Sequence, residues 1–233
     1  MLLRLRPALL FLLLALAFGS AIAIDFNRMQ DQWSKRFTPA SLLTFQEWRS
    51  LVQDSQTGSE IARIRRINDF FNRRIRFEDD IVVWGQSDYW ATPMETFDKG
   101  AGDCEDFATA KYFTLLSAGV PDDKLRLIYV QARIGGASSA IRQAHMVLAF
   151  YPSIDAEPLV LDNLINDIRP ASRRSDLIPV FSFNSKGLWQ GVSGPRGTGN
   201  GSNLTRWQDL LTRARAEGFQ LNPPAAPEKS QEK

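Results

Sequence analysis

Apolar residues recur at helical spacing in the first third of the chain. Thr38-Pro39 offers an N-cap followed by a proline at the first helical position, and the apolar residues after it predict a helix over about 39–53. Thr57-Gly58-Ser59-Glu60 fits a capping box, and apolar residues then repeat at helical intervals up to Ile75. Two amphipathic helices, each with one face directed at a core, are therefore predicted.

The segment 76–102 lacks this periodicity. It holds Trp84-Gly85, Asp88-Tyr89-Trp90 and Thr92-Pro93 before Gly100-Ala101-Gly102, so the sequence predicts a loop with little regular structure. Aromatic residues in such a loop either wall a binding cleft or fill the core beneath it. The sequence leaves both roles open for this segment.

A third helix and three strands are predicted downstream. Asp103 is a candidate N-cap for a helix that runs to about Ala118 and is stopped by Gly119, which places Cys104 at a helix N-terminus. Three segments rich in branched and aromatic residues follow, separated by turn signals: Leu125–Arg133, Gln143–Tyr151 and Leu159–Asn163. This order predicts an α+β fold in which N-terminal helices pack on an antiparallel sheet.

The C-terminal part of the chain shows less pattern. Residues 187–203 are rich in glycine and predict a flexible loop, since they lack the strand and helix that flank a phosphate-binding loop. A last amphipathic helix is predicted around Trp207, and the composition from Pro223 onward is typical of a disordered tail. Residues 24–222 are therefore expected to form one domain, followed by a tail over 223–233.

The N-terminus predicts export. Arg4 and Arg6 precede an apolar run from Ala8 to Phe18, and Ala21-Ile22-Ala23 supplies an A-x-A cleavage site. The apolar run is shorter than the roughly 20 residues that a membrane-spanning helix needs. This length favours a cleaved signal peptide over residues 1–23 and makes an uncleaved anchor the weaker alternative.

The charge balance argues against a nucleic-acid partner. Loss of residues 1–23 removes two arginines and no acids, which leaves 26 Lys and Arg against 26 Asp and Glu. Proteins that bind nucleic acid neutralise its phosphates with an excess of basic residues. The mature chain is formally neutral, so its composition offers no such excess.

One cysteine and one histidine occur in the whole sequence. A single cysteine cannot form an internal disulfide, so Cys104 needs another role in an exported protein. A helix N-terminus lowers a thiol pKa from its usual value of roughly 8.5 and so favours the thiolate. His145 is then the candidate proton acceptor, and later the proton donor to a leaving amine. Taken singly, a buried cysteine or a hydrogen-bonded histidine has a purely structural explanation.

Asp162 is the candidate third member of this group. Pairing Phe150 with Glu157 across a six-residue loop places Asp162 opposite His145 on one face of the predicted sheet. A carboxylate in that position fixes the histidine tautomer and stabilises the imidazolium ion. The helix-start cysteine, the strand histidine and the register-matched aspartate together indicate a thiol protease or a related acyltransferase.

Acidic residues surround the predicted nucleophile. Asp103 and Glu105 flank Cys104, and Asp106 follows, so their negative charge opposes ionisation of the thiol. Acids are favourable in a first helical turn, where Asp103 would cap the helix and Asp106 would reach back. Several oxygen ligands close together also suit a bound calcium ion. The residues alone leave both explanations open.

Four motifs, in order along the chain, resemble those of one family. They are Asp88-Tyr-Trp-Ala-Thr-Pro-Met-Glu95, Gly102-Asp-Cys-Glu-Asp-Phe107, Gln143-Ala-His-Met146 and Leu161-Asp-Asn163. This set resembles the bacterial transglutaminase-like cysteine proteinases, specifically the LapG-type periplasmic adhesin proteases, over roughly residues 30–190.

The resemblance implies a papain-like fold, a Cys104–His145–Asp162 triad and calcium dependence. It also implies cleavage of a large surface adhesin near its N-terminus, at a di-alanine-containing site, which would release the adhesin and disperse a biofilm. An inner-membrane receptor for cyclic di-GMP is the implied regulatory partner. A transglutaminase-type acyltransferase, which uses the same thioester chemistry, and a non-catalytic periplasmic binding module are the alternatives.

Overall fold

The computed structural model describes residues 24–136, 138–153, 155–192 and 204–219. The predicted signal peptide over 1–23, the predicted tail over 223–233 and most of the glycine-rich segment lie outside these ranges. Within them, no helix combines the length and the apolar character that crossing a lipid bilayer requires.

The four predicted helices are present, and further helices accompany them. Within the described ranges the helices are α1 (Phe26–Arg36), α2 (Leu42–Ser55), α3 (Glu60–Arg74), α4 (Asp80–Val83), α5 (Pro93–Lys99), α6 (Cys104–Ser117) and α7 (Thr205–Glu217). The predictions over 39–53, up to Ile75, from Asp103 and around Trp207 correspond to α2, α3, α6 and α7. A short 3-10 turn over Pro39–Ser41 precedes α2.

The N-terminus of α3 differs from the prediction. Ser59 is the N-cap residue, and its side chain accepts a hydrogen bond from the Ala62 N–H at 3.2 Å. Thr57, the first residue of the predicted capping box, instead donates to the Asp54 carbonyl at 3.5 Å. The pattern indicated the right helix but the wrong capping hydroxyl.

The strands form a parallel pair and a larger antiparallel sheet. In the described ranges they are β1 (Arg76–Phe77), β2 (Ala101–Gly102), β3 (Leu125–Arg133), β4 (Arg142–Phe150), β5 (Leu159–Leu161), β6 (Arg169–Pro170), β7 (Leu177–Asn184) and β8 (Gly187–Gln190). β1 pairs with β2, and the sheet has the order β6-β5-β4-β3-β7-β8. The predicted α+β architecture, helices followed by an antiparallel sheet, is confirmed.

Three strands of this sheet were not predicted, namely the two-residue β6, β7 and β8. β7 contains Pro179, which pairs with Val130 next to an irregularity in the register, where the missing proline N–H is tolerated. β8 lies at the start of the glycine-rich segment, so the prediction of a loop is wrong for Gly187–Gln190. The proline in β7 and the glycines in and after β8 made these two strands hard to recognise from the sequence pattern.

Residues 76–102 are not the loop that was predicted, since β1, α4, α5 and β2 lie within them. A capping box begins α5: the Thr92 side chain accepts from the Glu95 N–H at 3.2 Å, and the Glu95 carboxylate accepts from the Thr92 N–H at 2.8 Å. Gly100 ends the helix at a φ of 59°, in the left-handed region that favours glycine. Short helices with good caps need little apolar periodicity, which is why periodicity missed them.

The helix α6 runs through the centre of the fold. Every residue from Asp106 to Ser117 is buried, and the helix packs against β4 on one side and α3 on another. The core around it includes Phe113, Trp48 from α2 and Trp207 from α7. Because only the first turn of α6 escapes this enclosure, Cys104 is presented at the edge of the sheet that carries His145.

Candidate active site

Cys104 is the first residue of α6, is partly exposed and lies in a cleft. The cleft has a volume of about 480 Å³, and Cys104 and His145 both line it. Parallel pairing of Phe77 with Gly102 fixes the chain just before the helix. A side chain cannot be added at Gly102 without a shift, because its Cβ would lie 2.6 Å from Asp106 Oδ2. Glycine is therefore required at position 102, because the backbone there approaches Asp106 closely just before the thiol.

Aromatic side chains form walls of this cleft. Tyr129 and Phe181, from neighbouring strands, stack with their ring centroids 5.2 Å apart. Trp90 also lines the cleft, and its ring stacks on the buried ring of Phe183 at 6.1 Å. The two roles left open for the aromatic segment before Cys104, cleft wall and core packing, are thus combined in Trp90.

His145 and Asp162 are in contact, as predicted, but through a different register. The distance from His145 Nε2 to Asp162 Oδ1 is 2.8 Å, and both side chains are buried. The predicted pairing of Phe150 with Glu157 is wrong, because Phe150 pairs with Leu159. A shift of two residues keeps Asp162 on the same face of the sheet, from which it reaches His145 diagonally.

The Asp162 carboxylate determines the histidine tautomer. Burial acts to raise its pKa, but hydrogen bonds from His145, the Leu164 N–H and Arg174 outweigh burial and lower the pKa to about 2. An ionised carboxylate only accepts hydrogen bonds, so in the neutral imidazole Nε2 carries the proton and Nδ1 is the basic nitrogen. The pair can therefore hold one ring orientation and stabilise a positive charge on it.

The thiol itself is held by a carboxylate. Cys104 Sγ donates to Glu105 Oε2 at 3.0 Å, and the Met146 backbone N–H donates to the sulfur. Burial raises the pKa of the thiol far above its usual value, Glu105 and Asp103 raise it further, and the Met146 N–H acts in the opposite sense. The helix start alone therefore does not favour the thiolate, and the neighbouring acids oppose ionisation as the sequence indicated, so their charge must first be compensated.

The acids beside the thiol form a cluster with two additional members. One carboxylate oxygen each from Asp80, Asp103 and Asp106 lie within 4.8 Å of one another, and a second such group joins Asp80 and Asp88 to Glu105. Asp80 begins α4 directly after β1, so the parallel pairing of β1 with β2 brings it to the start of α6. The three predicted metal-ligand candidates thus lie in overlapping groups of acids that Asp80 connects, and Asp80 and Asp88 are added from the preceding segment.

Three oxygens of this cluster are buried without a hydrogen-bond partner: Asp80 Oδ1, Asp103 Oδ1 and Asp106 Oδ2. Burial, followed by repulsion between the carboxylates, raises the pKa of Asp103 to about 10. Burial likewise raises the pKa of Asp80 to about 6 and that of Asp106 well above its ordinary value. Buried carboxylate oxygens that lack donors fit a hard divalent cation such as calcium.

Helix capping does not explain the Asp103 side chain. Asp103 occupies the N-cap position of α6, yet its side chain makes no capping hydrogen bond. Asp106 Oδ1 accepts from the Ala91 N–H at 2.8 Å and so ties α6 to the segment before α5. Of the two explanations that the sequence left open, the geometry favours the cation.

Sequence reasoning missed Asp80 and Arg174 as members of the site. Asp80 is the last of three consecutive acids before a run of apolar residues, a signal that was usable but lay in a segment interpreted as loop. Arg174 is buried, and its Nη2 lies 2.6 Å from Asp162 Oδ2. No motif of the sequence marks Arg174, because burial of one arginine among many is a property of the folded chain.

Fold and site together define a class of protein. A cysteine at the start of a central helix shares a cleft with a histidine that an aspartate orients, on an α+β scaffold, as in thiol hydrolases and related acyltransferases. Residues 46–194 match the family described as bacterial transglutaminase-like cysteine proteinase BTLCP. The chain belongs to this family of cysteine proteases.

Solved structures of Legionella pneumophila LapG are similar to the chain. One is 36% identical, with a TM-score of 0.70 over 83% of this chain and 99% of that one. An EGTA-treated form is 36% identical, with a TM-score of 0.71 over 83% and 100% of the two chains. A calcium-bound form is 37% identical, with a TM-score of 0.69 over 80% and 97%. No curated protein sequence matches the chain.

Proposed function

We propose that the chain is a calcium-dependent cysteine endopeptidase in which Cys104 is the nucleophile, His145 the general base and acid, and Asp162 the orienting carboxylate. The observation that carries the proposal is the 2.8 Å contact between His145 Nε2 and Asp162 Oδ1, made in the cleft that holds Cys104. Because Asp162 keeps the proton on Nε2, the lone pair on Nδ1 is left to accept the thiol proton.

The reaction begins when His145 Nδ1 takes the thiol proton and the sulfur attacks a peptide carbonyl carbon. A C–S bond forms, and the negative charge that develops on the carbonyl oxygen is stabilised by backbone N–H groups at the start of α6. When the C–N bond breaks, the leaving amine takes the proton from His145 and a thioester remains on Cys104. Water, deprotonated by His145, then hydrolyses the thioester and the thiol is restored.

Calcium fits the acidic cluster, where Asp80, Asp103, Glu105 and Asp106 would hold it. When bound, the ion supplies positive charge that offsets the carboxylates raising the thiol pKa. Glu105 links the cluster to the nucleophile, since its carboxylate accepts the thiol hydrogen bond. The calcium-bound and EGTA-treated structures of a relative support the choice of ion.

The substrate and partner are proposed from family resemblance. The substrate is the N-terminal region of a large surface adhesin, cut at a di-alanine-containing site, so that cleavage releases the adhesin and promotes biofilm dispersal. The location is the periplasm, reached through the signal peptide over 1–23. An inner-membrane cyclic di-GMP receptor is the proposed partner that withholds the protease. Membership of the cysteine protease family supports the assignment of a proteolytic activity.

The decisive experiment incubates the mature chain with candidate adhesin N-terminal regions and a labelled amine. Reactions contain calcium, EGTA, or EGTA followed by excess calcium or magnesium, and Cys104→Ala is the matched control. We expect defined fragments by mass spectrometry with calcium, none with EGTA, and recovery with calcium in preference to magnesium. Incorporation of the amine without fragments would establish the acyltransferase instead. Binding without either product would favour the non-catalytic module.

A further inference from the structure

We propose that Arg174 is a positioning residue for the site. It holds Asp162 through a buried ion pair, so that the second oxygen of the carboxylate faces His145. The inference rests on the proposed function and extends it to a residue outside every motif that marks the site. Arg174 lies between β6 and β7, twelve residues after Asp162.

The ion pair is short and excluded from solvent. Arg174 Nη2 lies 2.6 Å from Asp162 Oδ2, and the two side chains are 2% and 0% exposed. The other oxygen, Oδ1, contacts His145 Nε2 at 2.8 Å and accepts from the Leu164 N–H at 3.0 Å. Each oxygen therefore has its own partner, and the carboxylate cannot rotate without breaking a charge-assisted hydrogen bond.

Arg174 is itself held from two directions. Its Nε and Nη2 donate to the two oxygens of Asp176 at 3.0 and 2.8 Å. Its backbone N–H donates to the Ala171 carbonyl at 2.9 Å, and its carbonyl accepts from the Leu177 N–H at 3.0 Å. A planar guanidinium bound to two carboxylates has little freedom to rotate. The backbone contacts of Arg174 and its pairing with Asp176 therefore also restrict the position of the Asp162 carboxylate.

Other polar groups near Asp162 do not perform this task. Lys111 is also buried, but its Nζ donates to Asn68 Oδ1 at 2.8 Å and its charge acts on Asp162 only at longer range. Asn72 donates to the Asp162 backbone carbonyl at 2.7 Å and not to its carboxylate. Among the residues that the structure describes, the ion-pair partners of the Asp162 carboxylate are His145 and Arg174.

Loss of the guanidinium would leave Asp162 Oδ2 buried and unpaired. A buried carboxylate in that state is unfavourable, so it takes up a proton more readily or turns toward another donor. Either change weakens the hydrogen bond that keeps the proton on His145 Nε2. The predicted consequence of removing Arg174 is thus a change at the imidazole, beyond any loss of stability.

The single histidine of the chain makes this change observable. In mature protein with isotope-labelled histidine, we expect one downfield imidazole N–H resonance from Nε2, seen by NMR. Arg174→Met keeps the length of the side chain but not its charge, and should abolish this resonance. It should lower kcat by about 10- to 100-fold, part of the roughly 10²–10⁴ that positioned acid–base groups supply, with little change in KM. Arg174→Lys should give intermediate values.

Asp176→Asn is the matched control, because it removes the other partner of Arg174 and leaves the Asp162 contact in place. Its resonance should match that of the wild type even if its Tm falls. An Arg174→Met protein with the wild-type resonance would overturn the inference, whatever its Tm. If that variant does not fold, an Arg174→Lys protein with wild-type resonance and kcat would overturn it equally. Loss of the resonance in a protein that cleaves no adhesin would support positioning while the proposed function fails.

Discussion

The two groups of carboxylates on either side of Cys104 differ in how their charge is balanced. On the sheet side, Asp162 lies between His145 and Arg174, and its pKa is lowered to about 2. On the helix side, neither Asp80 nor Asp103 forms an ion pair with Lys or Arg in the described part of the chain. The pKa of Asp80 is raised to about 6 and that of Asp103 to about 10, chiefly by burial.

This difference separates two tasks. The orienting carboxylate carries its counter-charge within the chain, so its geometry is permanent. Of the acids around the thiol, Asp88 pairs with Arg206 at 2.9 Å, but the others form no ion pair with Lys or Arg in the described residues. A bound cation is therefore the candidate source of the positive charge that they need. We infer that the contacts of Asp162 determine which nitrogen of His145 carries the proton, whereas the acids around the thiol make activity depend on a bound ion.

The largest expected effect concerns the residue between the two sides. Cys104→Ala should lower the rate of adhesin cleavage by roughly 10⁴-fold or more, because the nucleophile is lost while the fold is preserved. Fragment formation followed by mass spectrometry measures the rate, and circular dichroism checks the fold. Undiminished turnover would rule out the mechanism. The different charge balance of the two carboxylate groups would then have no bearing on catalysis.

Asp162→Asn tests the sheet side alone. An amide keeps the shape and can contact the imidazole, but it cannot stabilise its positive charge or enforce the Nε2–H tautomer. We expect kcat to fall by roughly 10²–10⁴-fold, with calcium affinity unchanged. Steady-state kinetics and calorimetry give the two quantities. Activity within a few-fold of the wild type would reject Asp162 as the orienting residue.

Asp103→Asn tests the helix side alone. Loss of one charged ligand should weaken calcium binding by roughly 10- to 100-fold in calorimetry, and Glu105→Gln should act in the same direction. Asp167→Asn is the control, since Asp167 has an exposed side chain outside the cluster. Equal calcium affinity in Asp103→Asn and Asp167→Asn would place the ion elsewhere. Absence of calcium binding by the wild type, with full activity in EGTA, would remove the cation explanation.

The smallest effect is a difference in the pH dependence of stability. The pKa of Asp80 is about 6 in the folded chain and roughly 3.9 when unfolded, so the folded state binds more protons between these values. Metal-free protein should therefore have a higher Tm at pH 5 than at pH 7.5, with roughly 2–4 °C of the difference due to Asp80. Asp162 contributes nothing to this difference, because its stabilisation is present above roughly pH 3.9 and is lost only as pH falls through about 2.

Two variants and one ligand separate the causes of that difference. Glu217, whose pKa is raised by burial to about 7, and Asp103, whose pKa is raised chiefly by burial to about 10, act in the same direction as Asp80. Asp80→Asn should therefore reduce the difference in Tm, and Glu217→Gln should remove a separate part of it. Saturating calcium should raise the Tm at pH 7.5 more than at pH 5. A metal-free Tm that rises from pH 5 to pH 7.5 would contradict the charge imbalance on the helix side.

Part of the fold and site could be predicted because it depends on neighbours along the chain. β3 has the predicted bounds, Leu125–Arg133, and α6 begins at Cys104 as its turn and capping residues indicated. The contact of Asp162 with His145 survived an error of two residues in register, since side chains alternate between faces with a period of two. The short helix α5 was missed although its capping residues stand in the sequence.

The sequence by itself determined which residues are candidates for the chemistry: a lone cysteine at a helix start, a lone histidine on a strand, and acids beside the thiol. Only the tertiary structure decided how their charges are balanced. Parallel pairing of β1 with β2 brings Asp80 to the thiol, and the turn before β7 buries Arg174 against Asp162. The physical reason is that burial and distance, which set electrostatic energies, depend on contacts between distant segments, and a sequence with a formal net charge of only +2 conceals a local imbalance of charge.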